Sequence, residues 1–235
     1  MKRVLSLFAI VALAACSGSG TQLSMSARAG STSAVAAAPN APAALTLSNG
    51  ITVDRLRVAI REVELERASA TPDDVADAQE FEAGPFVLDL SGTALNGTVQ
   101  QVVVNDVPAG TYRELKFKIH PPSTSDSSDV AVQAMATAQP GGASIIIEGQ
   151  IDGQPYTFMS ALDAEEKFEK TFTLADGSQN VTLNLDPSTW FGGTGSARLD
   201  PRVAGNKSAI ENNIQTSLQV FEDDDHNGVD DSLQH

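Results

Sequence analysis

Between residues 44 and 200, four dipeptides of the type Asn-Gly or Asp-Gly separate runs of alternating apolar and polar residues. They lie at Asn49-Gly50, Asn96-Gly97, Asp152-Gly153 and Asp176-Gly177. Such pairs accept the positive φ angles of tight hairpin turns, whose twist suits antiparallel strands. The repeated pattern therefore predicts a mainly β fold built from hairpins and disfavours a parallel α/β sheet.

The runs between these turns have the period of two that is typical of strands with one buried face. Apolar and polar residues alternate cleanly in Leu115–Ile119 and in Val181–Leu185. In Thr52–Arg67 the apolar residues change parity near Arg61, which predicts a β-bulge there. The region 44–200, with some eight to ten short strands, therefore predicts one antiparallel β-sandwich domain.

After Pro201 the spacing of the apolar residues lengthens to three and four. The residues in this stripe are Ala209, Ile210, Ile214, Leu218 and Phe221. This spacing predicts one C-terminal amphipathic helix within 201–221 that packs against the sandwich. A helix that binds a partner is the alternative.

The N-terminus has the composition of a cleaved secretion signal. Lys2 and Arg3 precede an apolar run, Val4–Ala12, that is interrupted only by Ser6. A bilayer-spanning helix needs about 20 apolar residues, so this run is too short to span and predicts a signal peptide over 1–15.

The signal ends in Leu13-Ala14-Ala15-Cys16, which resembles the lipobox of bacterial lipoproteins. The resemblance implies cleavage before Cys16 and attachment of diacylglycerol and further fatty acyl chains such as palmitate to this residue, which would fix the protein to a membrane. Cys16 is the only cysteine in the chain, so an internal disulfide is excluded. The alternative is an ordinary signal peptide followed by an incidental cysteine.

The residue after the lipidated cysteine bears on the destination. Ser17 stands where lipoproteins retained at the inner membrane usually have Asp, so the resemblance implies the cell outer membrane. The following segment, up to residue 43, is rich in Ser, Gly and Ala. This composition predicts a flexible linker over 16–43 with a reach of about 25–30 Å.

The charge of the chain excludes one class of partner. It contains 15 basic and 30 acidic residues, a net charge of −15 at pH 7, and loss of Lys2 and Arg3 with the signal makes the mature chain still more acidic. Nucleic-acid binding requires clustered Lys and Arg to contact phosphates, so nucleic acid is not an expected partner. Solubility outside the cell and attraction for divalent cations both fit this charge.

The acidic tail, 222–235, contains the strongest chemical motif. Side-chain oxygens recur at Asp223, Asp225 and Asn227, and Gly228 permits a sharp turn before Val229 and Asp231. The segment resembles the calcium loops of EF-hands and thrombospondin-type repeats, which implies ligands from the side chains, from the Val229 carbonyl and from Asp231.

The tail departs from the EF-hand pattern at its twelfth position. EF-hands place a bidentate Glu there, whereas this chain has Gln234. The missing ligand predicts weak calcium binding, at about 0.1–1 mM or weaker. A solvated acidic tail without calcium is the alternative.

Residues with the pattern of an active site are few. His120 has no neighbouring nucleophile motif, and the acids Asp163, Glu165 and Glu166 would catalyse glycoside hydrolysis only if the fold set two of them across a cleft. Trp190 and Phe191 could form an aromatic platform for a sugar or plug one end of the sandwich. We therefore predict no enzymatic activity.

The segment Val107-Pro108-Ala109-Gly110-Thr111-Tyr112 resembles a turn in an uncharacterised family of bacterial surface lipoproteins. The resemblance implies a transthyretin-like or immunoglobulin-like sandwich and supplies no activity. The resulting hypothesis is a non-enzymatic, lipid-anchored envelope protein, with calcium as a candidate cofactor, that binds or organises an extracellular protein or glycan. The alternative is a surface domain that binds or hydrolyses glycans.

Overall fold

A computed structural model describes residues 21–30, 44–47, 49–68, 81–107, 109–174, 178–193 and 198–231. Within these ranges the chain forms two sheets from thirteen strands, and two α-helices flank them. The strands are β1 (Thr21–Ala29), β2 (Leu45–Thr46), β3 (Ile51–Arg67), β4 (Phe81–Ala83), β5 (Phe86–Ser91), β6 (Gln100–Val107), β7 (Gly110–Ile119), β8 (Ile145–Ile151), β9 (Gln154–Ser160), β10 (Ala164–Phe168), β11 (Phe172–Leu174), β12 (Ser178–Leu185) and β13 (Leu218–Glu222). The helices are α1 (Val130–Thr137) and α2 (Lys207–Ser217). The predicted mainly β fold with a C-terminal helix is confirmed, with more strands than the eight to ten expected.

Sheet A contains four strands in the order β13-β12-β1-β6. The strand β1 pairs in parallel with β12 and antiparallel with β6, and β12 pairs antiparallel with β13. Strand β1 is therefore an interior strand, although it comes from the segment before residue 44.

Sheet B is organised around the long strand β3. One edge of β3 pairs with β8 along its first half and with β7 along its second half. The other edge pairs with β2, then β5, then β4, while β9, β10 and β11 extend the sheet outward. The β3–β7 register shifts between Ile60 and Glu62, so the bulge predicted near Arg61 is confirmed.

The main hydrophobic core lies between the inner faces of the two sheets. Strand β3 contributes Leu56, Val58 and Ile60 before the bulge and Val63 and Leu65 after it, all without solvent exposure. Because the bulge adds one residue, both halves of β3 present their apolar side chains to the same face. The change of parity in the sequence therefore preserves one continuous core.

Helix α1 covers part of the outer face of sheet B, and the alternating sequence pattern did not predict it. The Asp129 carboxylate caps the helix by accepting hydrogen bonds from the main-chain N–H groups of Ala131 and Val132, at 2.8 and 3.1 Å. Met135 of α1 packs in a second, smaller apolar cluster with Ala59 and other residues of the outer face. Helix α1 has only eight residues, which is too short for a clear helical period to stand out in the sequence between β7 and β8.

The prediction of a flexible linker over 16–43 is wrong for its middle part, because residues 21–29 form β1. Leu23, Met25, Ala27 and Ala29 alternate with polar residues and are buried in the main core. The abundance of Ser and Ala, which predicts disorder, concealed this strand-like alternation.

The C-terminal helix is shorter than the predicted 201–221. Helix α2 ends at Ser217, and its stripe residues Ile210 and Ile214 are fully buried. Leu218 and Phe221, which also fitted the helical spacing, lie on β13 and are buried there as strand residues. Residues three apart on a strand point to opposite faces, and Leu218 packs in the main core whereas Phe221 does not. Both are buried because both faces of β13 are covered, which the sequence spacing did not reveal.

Two of the four predicted turns connect adjacent antiparallel strands. Asp152 and Gly153 have φ angles of 53° and 73° and join β8 to β9, and Asn49-Gly50 joins β2 to β3. Asn96-Gly97 instead ends a short 3-10 helix, Gly92–Asn96, that carries the chain from sheet B to sheet A. The fourth turn, Asp176-Gly177, lies outside the described residues.

The turn before Tyr112 also joins the two sheets, since β6 belongs to sheet A and β7 to sheet B. Tyr112 is fully buried and stacks on Phe172 with 5.8 Å between ring centroids. The Arg67 guanidinium lies 5.6 Å from the Tyr112 ring centroid. Tyr112 therefore fills the core at this end of the sandwich.

Candidate functional site

The outer face of sheet A carries polar side chains that are buried. Ser24, Ser26 and Arg28 project from β1 on the side opposite to its core residues, and all three are at most 4% exposed. Their neighbours on β12 and just after β13 are equally buried; these are Asn180, Thr182, Asn184 and Asp223. Buried polar groups are stable only with hydrogen-bond partners, so this face must be satisfied by what covers it.

The covering segment is the acidic C-terminal loop, 223–231, which follows β13. The buried Arg28 guanidinium donates to the Asn184 side-chain oxygen at 3.0 Å and to the main-chain carbonyl of Gly228. A side chain at position 228 would overlap the Arg28 guanidinium, which would then have to shift. Arg28 therefore fastens the loop to the middle of sheet A.

Arg28 keeps its positive charge in this environment. Burial lowers the pKa of the Arg28 guanidinium, and the negative charges of Asp223 and Asp186 act in the opposite direction. The starting pKa of arginine is so high that a lowered value still leaves it protonated at neutral pH. A buried cation with nearby carboxylates is therefore the electrostatic centre of the site.

Asp223 is the fully buried acid of the loop. Its carboxylate accepts hydrogen bonds from the Thr182 hydroxyl at 2.9 Å and from the main-chain N–H of Gly228 at 3.0 and 3.1 Å. Burial raises the pKa of Asp223, an effect that the hydrogen bond from Thr182 and that from Gly228 partly offset. Asp223 thus ties the start of the loop both to β12 and to its own turn.

The remaining predicted calcium ligands hold the loop in shape. Asp225 accepts from the main-chain and side-chain nitrogens of Asn227 at 3.1 and 2.7 Å, and Asn227 accepts from the main-chain N–H of Val229 at 2.7 Å. Asp231 accepts from the main-chain N–H of Asp224 at 2.8 Å and closes the loop. These contacts bring all five predicted ligand residues into one compact turn.

Calcium itself stays a prediction. In the described part of the chain, no three His, Cys, Asp or Glu residues converge in the way a metal ion requires. The loop offers Asn and main-chain oxygens besides its carboxylates, and calcium accepts both kinds of ligand. These kinds of oxygen donor suit calcium. In the structure, the side-chain oxygens of Asp223, Asp225 and Asn227 accept hydrogen bonds within the loop.

The sequence motif identified the loop 223–231 but not the outer face of sheet A that lies beneath it. Arg28, Thr182 and Asn184 were not identified as site residues, since Arg28 lay in the presumed linker. The alternation Leu23, Met25, Ala27 would have indicated a strand and placed Arg28 on its polar face. The partners on β12 could not be found from sequence, because pairing in parallel with β1 leaves no local pattern.

Trp190 and Phe191 do not form a sugar platform. Both rings have no solvent exposure, and Trp190 donates from its indole nitrogen to the Ser217 hydroxyl at 2.5 Å. Phe191 packs edge-on against Tyr156, with 5.9 Å between ring centroids. A platform needs an exposed ring face, so these residues plug the end of the sandwich instead. The groove beside them, about 450 Å³, is lined largely by small residues, Gly192, Gly193 and Ala209 among them.

Of the predicted acids, Asp163 lies just before β10, and Glu165 and Glu166 lie on β10, where they point to opposite faces. Asp163 lies 3.3 Å from the His120 ring nitrogen Nδ1 at the surface. Glu165 projects outward and pairs with Lys167 at 3.4 Å, while Glu166 lies on the same face of β10 as buried Ala164. Burial raises the pKa of Glu166. Because adjacent strand residues point to opposite faces, Glu165 and Glu166 do not face a common cleft.

The predicted lipidation site, Cys16, and the signal peptide 1–15 lie outside the described residues. Among the residues that are described, no helix has the length and apolar character required to cross a bilayer.

Together, the two packed sheets and the loop define a β-sandwich. Its sheet A is completed by β1 and β13, which come from the N-terminal and C-terminal parts of the chain. Residues 44–201 match the model of DUF4382, a domain of unknown function, and the chain belongs to this family. No curated protein and no solved structure matches the chain. The match fits the expectation of an uncharacterised family, while the surface-lipoprotein and transthyretin-like parts of that expectation stay predictions.

The matched region contains sheet B and only two strands of sheet A, β6 and β12. Strands β1 and β13, helix α2 and the acidic loop lie outside the matched residues. The candidate site is therefore built where the family module meets the segments on either side of it.

Proposed function

We propose that the chain is a lipid-anchored, non-enzymatic protein of the bacterial outer membrane that binds or organises an extracellular partner. The observation that carries this proposal is a secretion signal that ends in Leu13-Ala14-Ala15 directly before the only cysteine. One acyl chain binds a membrane marginally, and two or more hold it stably. That Glu165 and Glu166 point to opposite faces of β10 supports a binding role over glycan hydrolysis by this pair.

Mass spectrometry of the native N-terminus tests the anchor. The expected result is a mature chain that starts at Cys16 and carries diacylglycerol and acyl groups. A Cys16→Ala variant should keep its signal peptide, whereas the matched variant Ser17→Ala should be processed and lipidated normally. A native chain with a free Cys16 thiol would refute the proposal.

Fractionation of the envelope tests the destination. The native protein should collect with the outer membrane, and Ser17→Asp should shift it to the inner membrane, because Asp at this position accompanies inner-membrane retention. Lipidation should remain unchanged in both proteins. Native protein in the inner-membrane fraction would show that the proposed destination is wrong.

We also propose that calcium binds the loop 223–231. Support comes from the alternate oxygen donors at Asp223, Asp225 and Asn227 and from the turn at Gly228, whose φ is +78°. In the absence of a Glu at the twelfth position, the expected dissociation constant is about 0.1–1 mM. Such a site would fill at extracellular calcium concentrations and stiffen the cover of sheet A.

Isothermal calorimetry with Asp225→Ala tests the calcium site. The Asp225 carboxylate accepts hydrogen bonds from Asn227. Its removal therefore spares the contacts of Asp223 and Arg28 that hold the loop on sheet A. Asp163→Ala is the control, since it removes one exposed acid elsewhere. We expect heat of binding in the native and control proteins and its loss in Asp225→Ala. Equal heats in all three would contradict the site.

A further inference from the structure

The start of β1 fixes how far the folded domain can stand from Cys16. Strand β1 begins at Thr21, and every residue from Gln22 to Ala29 has a Cα partner on β12. Its side chains Leu23, Met25 and Ala27 are buried at 2% exposure or less. A strand held by ladders on both sides and by core packing is not a free part of the tether.

Covalent geometry then limits the distance to the anchor. Five peptide units separate the Cα atoms of Cys16 and Thr21, and an extended chain spans at most about 3.6 Å per residue. The Cα atom of Thr21 therefore lies within about 18 Å of the Cys16 Cα atom whatever path the chain takes.

The strand registers show which end of the sandwich is near Thr21. Thr21 lies opposite Val107, so the connection from β6 to β7 is at this end. Gly110 pairs with Leu174, and the main-chain N–H of Ala68 donates to the carbonyl of Thr111, which brings the ends of β3 and β11 to the same side. We call this the β6–β7 end.

The hairpin turns Asn49-Gly50 and Asp152-Gly153 lie at the opposite end. Ile51 at the start of β3 pairs with Ile151 at the end of β8, whereas the last residue of β3, Arg67, pairs with Tyr112. Strand β3 has 17 residues, so at about 3.3 Å per residue it separates the hairpin turns from the β6–β7 end by about 50 Å. Even if the chain from Thr21 to Cys16 ran its full length of about 18 Å towards the hairpin turns, the anchor would still lie closer to the β6–β7 end.

We propose that the β6–β7 end faces the lipid headgroups and that the two hairpin turns point away from the membrane. The proposal rests on the proposed lipidation of Cys16. It assigns the membrane as the partner of the surface around Gly110 and Thr111, and leaves the turns at 49–50 and 152–153 accessible to partners beyond the envelope surface.

Paramagnetic relaxation measured by NMR tests this orientation. The mature chain from Cys16 is coupled through its only thiol to a maleimide lipid in nanodiscs that contain a headgroup-spin-labelled lipid. The amide signals of Gly110 and Thr111 should relax several-fold faster than those of Gly50 and Gly153. Equal or reversed enhancement would overturn the proposal.

A longer tether supplies the control. Insertion of 20 Gly and Ser residues between Gly20 and Thr21 leaves β1 unchanged and should largely remove the difference between the two ends. A difference that survives the insertion would show that something other than tether length orients the domain, and would also overturn the proposal. Because the lipid is attached chemically, failure of natural lipidation is detected separately by mass spectrometry.

Discussion

The two sheets of this sandwich satisfy their outer faces in opposite ways. The outer face of sheet B around β3 and β5 carries charged side chains in cross-strand pairs at the surface, such as Arg55 with Asp89 at 2.5 Å. The outer face of sheet A carries a charged side chain that is buried, Arg28, covered by a loop from the C-terminus. This part of the outer face of sheet B faces solvent, whereas the outer face of sheet A is covered by another part of the chain.

This difference affects how much each sheet depends on single residues. Exposed cross-strand charge pairs contribute little each, because water and salt can replace the partner. A buried charge that loses its partner remains desolvated and uncompensated. Sheet A should therefore respond sharply to substitutions that sheet B tolerates.

The largest effect should follow removal of β1. Deletion of residues 17–30 exposes the edges of β12 and β6 and removes Leu23 and Met25, each worth about 1.5–3 kcal/mol when buried. Since a domain of this kind is stable by only about 5–15 kcal/mol, the deleted chain should lose cooperative unfolding in urea.

A synthetic peptide of residues 20–30 provides the sharper test of the same strand. Added in trans, it should bind between β12 and β6 and restore a cooperative transition, because its ladders and core contacts are recovered. A peptide of the same composition with Leu23 and Ser24 exchanged, and Met25 and Ser26 exchanged, should not. A deleted chain that unfolds like the complete protein would show that β1 is not part of the stable core.

Arg28→Ala should have the next largest effect. It removes the donor to Asn184 and Gly228 and leaves Asp223 without its nearby cation, a loss of about 3–5 kcal/mol in the free energy of unfolding. The matched change in sheet B is Arg55→Ala, which breaks an exposed pair with Asp89 and should cost about 0.2–1 kcal/mol. Urea unfolding of both variants checks the contrast. Similar losses in the two would contradict the distinction between the sheets.

The two sheets also differ in how well they could be predicted from the sequence. Sheet B was largely predictable: its strands alternate cleanly, the parity change located the bulge at Arg61, and Asp152-Gly153 marked a hairpin. These features are local, so neighbouring residues in the chain determine them.

Sheet A depends on contacts between distant parts of the chain, so it was predicted less well. Its strand β1 pairs Ala27 with Leu183, and its loop returns Gly228 to Arg28. The composition around β1 predicted a linker, and the spacing after Ala209 predicted a helix that continues through β13. The acidic loop was recognised because its oxygen donors are close in sequence, while the cation beneath it was not.

Gly228→Ala should have a moderate effect that depends on Arg28. A left-handed backbone costs a non-glycine residue about 1–2 kcal/mol, and the new methyl group would in addition displace the buried guanidinium. Gly141→Ala is the control, because Gly141 also has a positive φ of +84° but has open space around its Cβ position. We expect a larger loss of unfolding free energy at position 228 than at 141. Equal losses would show that the loop yields without disturbing Arg28.

The smallest effect, and the most specific, is the pH dependence of stability that two acids cause, Glu64 on sheet B and Asp223 in the loop that covers sheet A. Burial raises the pKa of Asp223 when the chain folds, so the folded state binds a proton over a pH range in which the unfolded chain has released it. Its contribution to stability therefore grows as the pH falls through the folded pKa, and it is fully present below the unfolded value of about 3.9.

Glu64 should behave in the opposite way. Burial alone would raise its pKa, but hydrogen bonds from Lys116 and Lys118 outweigh burial and hold the pKa at about 2. Its contribution is present above the unfolded value of about 4.3 and is lost as the pH falls toward 2. The destabilisation caused by Glu64→Gln should therefore shrink on acidification, whereas that caused by Asp223→Asn should grow. Urea unfolding of both variants and the native protein between pH 7 and 3 measures the two slopes, and slopes of the same sign would mean that Asp223 is not held in a desolvated site.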